Sequence, residues 1–266
     1  QYKSLDDMWQ KELGDQNKQL KKEIIDENVV VGSKENWYKK AADVWESKEA
    51  TVKGVLGGFP ELHDIDLVES FEFLNQYVNT GMINNGTAID CGAGIGRITK
   101  FLLANKFKKV DMVEQNPLYV EKAKTYIDKP SIDRYFCAGL QDFTPDQGYY
   151  DCIWIQWVIE HLTDEDLVAF LERCKAGITD SGIIIVKENT ACEGFVVDKE
   201  YTSVIRSAAI FEHIFQKAGL KILNKQYQKQ YPEDLYRVIM YSLVPQERNL
   251  EAKVQSIGNT TTAKNQ

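Results

Sequence analysis

The sequence predicts an α/β fold, a seven-stranded and mostly parallel sheet with helices on both faces. Three observations predict it. Strand-like apolar runs alternate with helical patterns through the middle of the chain, which argues for parallel strands joined by helical crossovers. The alternation stops near residue 220, where two strand-like runs follow one another without a helix between them. The first strand-like run leads directly into a glycine-rich turn and then a helix, an arrangement suited to a nucleotide-like ligand at the mouth of an open sheet.

The elements follow in order. Residues 1–36 are polar and lysine-rich, with one helical-looking piece near 8–25, and read as a loosely attached N-terminal extension. From Trp37 the composition becomes globular, and Trp37, Tyr38, Ala41, Ala42 and Trp45 share one face of a helix over 37–46. Gly54-Val55-Leu56-Gly57-Gly58 reads as a flexible loop. Leu67, Phe71, Leu74 and Val78 predict a helix over 66–78. Parallel strands are expected at 87–90, 109–114, 134–137, 150–156 and 182–188, with helices over 98–105, 117–127, 164–177 and 207–219. The runs 221–228 and 235–243, joined through Tyr231-Pro232-Glu233-Asp234, form the closing antiparallel hairpin. Residues 245–266, rich in Thr, Asn and Gln, are expected as a disordered tail, which leaves 37–244 as the folded domain. Five parallel strands plus a C-terminal hairpin is the outline of the seven-stranded Rossmann-like methyltransferase sheet. Dinucleotide dehydrogenases usually lack that hairpin.

Composition narrows the function. Among 266 residues 43% are hydrophobic, enough for a full core, and the net charge is −8. An acidic chain without a basic face argues against a nucleic-acid partner and suits a cationic substrate better. Cys91, Cys137, Cys152, Cys174 and Cys192 are dispersed, without CxxC spacing, and read as reduced thiols of a cytoplasmic or nuclear protein. His63, His161 and His213 make no metal-ligand pattern, so no metal is expected. No apolar run approaches the roughly 18 residues of a membrane span, so no membrane partner is expected.

Four motifs fall at four successive strand ends. Asp90-Cys91-Gly92-Ala93-Gly94-Ile95-Gly96-Arg97 is a DxGxGxG turn and not the GxGxxG dinucleotide fingerprint. Here Gly92 and Gly94 allow close backbone approach, Asp90 suits the ammonium of a methionine moiety, and Arg97 suits its carboxylate. Glu114, ending the second strand about 20 residues after the glycine turn, suits ribose hydroxyls. In Gly139-Leu140-Gln141-Asp142-Phe143, Leu140 would cover an adenine face while Gln141 or Asp142 meets its amino group. Trp154-Ile155-Gln156-Trp157 closes the fourth strand. Together they point to S-adenosyl-L-methionine as the cofactor. Taken alone, His161 serves equally well as a packing or capping group, and Trp154 and Trp157 as core.

Residues 90–100 (DCGAGIGRITK), 139–145 (GLQDFTP), 153–163 (IWIQWVIEHLT) and 54–58 (GVLGG) resemble the eukaryotic protein α-N-terminal methyltransferases, named for X-Pro-Lys or X-Pro-Arg substrates. The resemblance spans about 37–243. It implies methylation of the α-amino group at the N-terminal segments of substrate proteins. It also implies cofactor contacts from Gly92, Arg97, Glu114, Gln115, Asn116, Leu140, Gln141 and Gln156. Trp157, Asn189 and Tyr236 would line the peptide channel, with His161 and Asn189 near the α-amine as the catalytic pair. Asp198 and Ser203 would face the substrate lysine, while Trp45 and Leu56 help close the site. The chain departs from the family pattern at three places: Tyr201 stands where the family has a second aspartate, Val44 where it has tyrosine, and Glu160 where it has glycine. Two other readings stay open at this point: a small-molecule amine or hydroxyl methyltransferase, and a cofactor-binding homologue without catalysis.

Overall fold

The computed structural model of the protein describes residues 2–14 and 33–249. The N-terminal part runs α1 (Leu5–Leu13), α2 (Lys34–Glu46), α3 (Val52–Val55) and α4 (Leu62–Val78). There follow β1 (Thr87–Cys91), α5 (Arg97–Phe101), β2 (Lys109–Glu114), α6 (Pro117–Tyr126), β3 (Ile132–Cys137) and β4 (Tyr150–Gln156). The C-terminal half is α7 (Asp164–Gly177), β5 (Ile178–Thr190), β6 (Phe195–Asp198), β7 (Ser203–Arg206), α8 (Ala208–Lys217), β8 (Leu220–Tyr227) and β9 (Arg237–Pro245).

Seven strands form one sheet in the order β3-β2-β1-β4-β5-β9-β8. Only β9 opposes its neighbours; the other six strands point the same way. The chain builds outward from β1 through β2 to β3, then crosses back to start β4 on the other side. The order therefore reverses between β1 and β4, where open sheets bind their ligands. Register aligns the strand ends there, with Cys91 opposite both Val113 and Ile155.

Alternate residues of the strands feed two cores, as the two-residue period requires. Ile89, Ile153, Ile155 and Val186 pack with Phe170 of α7 and with Phe211 and Phe215 of α8. Ala88, Trp154, Ile185 and Met240 pack with Phe73 and Leu74 of α4 and with Ile98 and Leu102. Burial on both faces makes β4 buried at every position. Helix α7 starts at residue 164 as its sequence predicts, because the Thr163 hydroxyl accepts from Asp166 N at 3.2 Å and three acids occupy its first turn.

Several elements differ from the sequence expectation. Residues 52–55 form a helical turn capped by the Thr51 hydroxyl, so Gly54 and Val55 are not loop. The helix expected over 98–105 is split, with α5 ending at Phe101 and a tight 3-10 turn over Leu103–Asn105. An unforeseen two-stranded sheet, β6–β7, stands apart from the main sheet. Helix α1 is seated on the fold: Met8 and Leu13 are buried with Trp37 and Val204, and the Trp9 ring meets Trp37 edge-on at 5.1 Å. Past β9, Gln246 N donates to Gly219 O and Arg248 to Gly182 O, so residues 246–248 are tied back. The rest of the expected 8–25 helix and of the expected tail lies outside the described residues.

Candidate functional site: two cavities sharing a wall

The strand ends open into two adjoining cavities. The first is lined by Asp90, Gly92, Gly94 and Arg97 after β1, and by Glu114 and Gln115 after β2. Leu140 and Gln141 follow β3, and Gln156, Trp157 and His161 lie at the end of β4 and just beyond. Nine of the ten residues expected to hold the cofactor thus share one cavity. Asn116 is the exception. Its Oδ1 caps α6 by accepting from Leu118 N at 2.9 Å, and it supports the wall from behind.

Backbone geometry explains the glycines. Gly92 and Gly94 have φ of +73° and +57°, which L side chains resist. A Cβ on Gly92 would also lie 2.5 Å from a Val158 methyl. Glu114 organises this turn, accepting from Gly94 N and Asn116 N, each at 2.8 Å. Burial raises its pKa, and with backbone donors on both oxygens the carboxylate still keeps acceptor capacity for a ligand hydroxyl. Asp90 lines the cavity, but its Oδ2 is already engaged by Thr99 N at 2.9 Å and Thr99 Oγ1 at 2.6 Å. Helix α5 has only five residues, so anion attraction at this turn falls to Arg97 and not to a helix end.

One buried residue that the sequence did not single out holds these groups in place. Asp66, in the second turn of α4, is fully buried and makes its closest polar contacts with three partners, beside a longer bond from the Ser70 hydroxyl at 3.4 Å. Arg97 Nη2 lies 2.6 Å from its Oδ2, Lys187 Nζ 2.5 Å from Oδ1, and Gln156 Nε2 donates to Oδ1 at 2.8 Å. Burial alone would raise the Asp66 pKa, but the Lys187 and Arg97 charges outweigh it and hold it low. Trp154 Nε1 donates to Gln156 Oε1 at 2.9 Å, so the amide orientation is set at both ends. Arg97 Nη1 is buried and has no partner among the described residues. That is the donor a ligand carboxylate would need, and it fits S-adenosylmethionine.

The second cavity holds all seven residues expected to contact substrate: Trp45, Leu56, Trp157, Asn189, Asp198, Ser203 and Tyr236. Glu160, Tyr201 and Tyr231 join them. The β6–β7 hairpin supplies Asp198 and Ser203, which explains how two loop-like polar residues reach the site. Trp45, Val55 and Trp157 line both cavities. Trp157 adopts φ +50°, a left-handed backbone that costs a bulky residue roughly 1–3 kcal/mol and marks functional positions. Its N–H bonds Lys187 O at 3.0 Å, while its indole Nε1 is buried without a partner among the described residues.

His161 lines the first cavity, not the second, and both its nitrogens are engaged. Trp45 Nε1 donates to Nε2 at 3.0 Å, and Nδ1 faces Thr202 O at 3.1 Å. Nε2 is therefore the acceptor and Nδ1 carries the hydrogen. Helix α2 is pinned here again by Trp37 Nε1, which donates to His161 O at 2.7 Å. Asn189 Nδ2 reaches Glu160 Oε2 at 3.5 Å. Among the described residues no cluster of metal-ligating side chains occurs, and no helix is long and apolar enough to cross a membrane.

Known proteins share this architecture. The chain is 44% identical over 218 residues to N-terminal Xaa-Pro-Lys N-methyltransferase 1 of Mus musculus, covering 80% of this chain and 98% of that one. It is 42% identical to the alpha N-terminal protein methyltransferase 1 of Dictyostelium discoideum, covering 91% and 87%. A SAM-dependent methyltransferase structure from Leishmania major superposes with a TM-score of 0.80 at 35% identity, covering 91% of this chain and 92% of that chain. The profile of the AdoMet-dependent proline di-methyltransferases matches residues 33–244. With its glycine turn and paired cavities, the chain belongs to that family, and it is an S-adenosylmethionine-dependent methyltransferase.

Proposed function

We propose that this enzyme methylates the α-amino group of protein N-termini of the X-Pro-Lys type. One observation carries the reading: a cofactor cavity and an aromatic, acid-bearing cavity meet across a wall of Trp45, Val55 and Trp157. A donor in one and an N-terminus in the other would face each other at that wall. The cofactor supplies an electrophilic methyl group on a sulfonium. Arg97 holds its carboxylate, Glu114 its ribose hydroxyls, and Leu140 with Gln141 its adenine.

An α-amine has a pKa near 7.7–8.0, so little assistance yields the neutral nucleophile, and most of the rate comes from alignment. Proline at position two brings no N–H, so Trp157 and Tyr236 can border it without stranding a donor. Asn189 positions the first residue, and Asp198 with Ser203 meets the lysine at position three. The dispersed cysteines support a cytoplasmic or nuclear setting, and the acidic net charge argues against a nucleic-acid partner.

Mass spectrometry of Ser-Pro-Lys and Ala-Pro-Lys peptides incubated with enzyme and S-adenosylmethionine tests the reading, with Nα-acetylated peptides as controls. Stepwise gain of methyl masses on free peptides alone is expected. Intact cofactor binding without any gain would exclude X-Pro-Lys termini and redirect the search to small amines.

A further inference from the structure

Resting on that substrate reading, we infer that Glu160 is the catalytic carboxylate of the acceptor site, holding the incoming α-ammonium and removing its proton. Among the described residues two carboxylates line the acceptor cavity, Glu160 and Asp198. Asp198 is committed to the hairpin connection, where its Oδ1 accepts from Glu200 N at 2.9 Å and Tyr201 N at 3.0 Å. Glu160 has no such duty. Its Oε1 lies 4.0 Å from His161 Nε2, on the cofactor side, and its Oε2 lies 3.5 Å from Asn189 Nδ2, on the acceptor side. The carboxylate therefore sits at the junction of the two cavities, where a nitrogen in line with the methyl group must come.

The neighbouring groups leave this task to Glu160. His161 has no free lone pair, since Nε2 already accepts from Trp45 and Nδ1 carries the hydrogen that faces Thr202 O. Behind it, on β5, Glu188 is fully buried and accepts from Val158 N and Asn189 N. Burial first, and the Glu160 charge second, push the Glu188 carboxyl well above the usual range. From α2 comes the Trp45 ring, and from the hairpin connection comes Tyr201, whose ring lies under the Lys48 ammonium at 5.1 Å. The carboxylate that the family carries at the Tyr201 position is thus absent, and a cation stands beside the substituted ring.

The step balances as follows. One proton passes from the α-ammonium to a Glu160 oxygen, leaving a neutral amine. The amine lone pair forms the N–C bond as the S–C bond breaks, with its electron pair staying on sulfur, so S-adenosylhomocysteine and an N-methylammonium result. Glu160 then releases its proton to solvent.

The test compares kcat/KM for the Ser-Pro-Lys peptide against pH in the full chain and in E160Q and E160D, with saturating S-adenosylmethionine. Near pH 7, where about a tenth of the α-amine is already neutral, E160Q is expected to lose about tenfold. It should recover as pH rises past the amine pKa, because solvent then supplies the neutral amine, and E160D should keep intermediate activity. S-adenosylhomocysteine affinity by calorimetry should match wild type. An E160Q enzyme within about threefold of wild type at every pH would overturn the role of Glu160 alone. A parallel loss of S-adenosylhomocysteine affinity would mark Glu160 as structural and overturn it equally. A wild type that methylates neither free peptide would instead sink the substrate reading, and this role with it.

Discussion

The Trp45 indole N–H donates to His161 Nε2 at 3.0 Å, joining the N-terminal helix α2 to the turn that follows β4. The bond fixes the imidazole tautomer with its hydrogen on Nδ1. We predict that ring-nitrogen NMR shifts of His161 report this tautomer near neutral pH. In Trp45→Phe, which keeps a ring but loses the N–H, the Nε2 shift of His161 should move because its donor is gone. Stability should fall by about 1 kcal/mol. Unchanged His161 ring-nitrogen shifts in the variant would dissolve the proposed coupling.

Asp66 should act on the cofactor without touching it. Asp66→Asn leaves Lys187 buried without its anion and frees Arg97, so it should cost about 3–5 kcal/mol of stability. Affinity for S-adenosylhomocysteine should drop at least about tenfold. Lys187→Met keeps the Asp66–Arg97 pair and should bind nearly as well as wild type. Equal losses of affinity in the two variants would show a general softening of the site in place of specific positioning of Arg97 and Gln156.

Glu114→Ala removes acceptors from Gly94 N and Asn116 N as well as from ribose. Cofactor affinity should fall by about 1–3 kcal/mol, read by calorimetry. Unaltered affinity would remove Glu114 from the cofactor site.

Asn189→Lys places a cation beside Glu160 in the acceptor cavity. Peptide methylation should vanish while S-adenosylhomocysteine binding persists. Turnover at the wild-type rate would take Asn189 out of the acceptor site.

Burial raises the Asp90 carboxyl to about 6, against an ordinary value near 3.9 in an unfolded chain. The folded state therefore binds this proton more tightly. Its contribution to stability is complete below about pH 4 and is lost as pH rises through about 6, on the order of 3 kcal/mol in all. Melting temperatures of Asp90→Asn between pH 4 and 6.5 should show a flatter slope than wild type. Parallel curves would assign the slope to another buried acid, such as Glu188.

Much of this was readable from residue order because it depends on local periodicity. The strands, the closing hairpin and the motifs at strand ends follow from apolar spacing and from glycines where the backbone must turn left-handed. The β6–β7 hairpin was missed because its two four-residue strands are as short as loops. The signal was present in Phe195-Val196-Val197-Asp198 and Ser203-Val204-Ile205-Arg206, two apolar runs flanking a four-residue connection. The Asp66 network was illegible for another reason. Its members at 66, 97, 156 and 187 come from four separate elements, and an acid in the first turns of a helix looks like ordinary surface. His161 illustrates a third limit, since the family resemblance placed it beside the α-amine while its three-dimensional neighbours occupy both nitrogens.

Strand β5 carries Lys187 into the network that orients Arg97 and Gln156, and, two residues on, Asn189 into the acceptor cavity. Residues two apart on a strand share a face about 7 Å from one another. One strand therefore spaces the two cavities, while the flanking hairpin and its connection bring Asp198, Tyr201 and Ser203 to the wall of the second. A substitution in the connection, such as tyrosine at 201, can change the lining of the second cavity while leaving the spacing along β5 as it is.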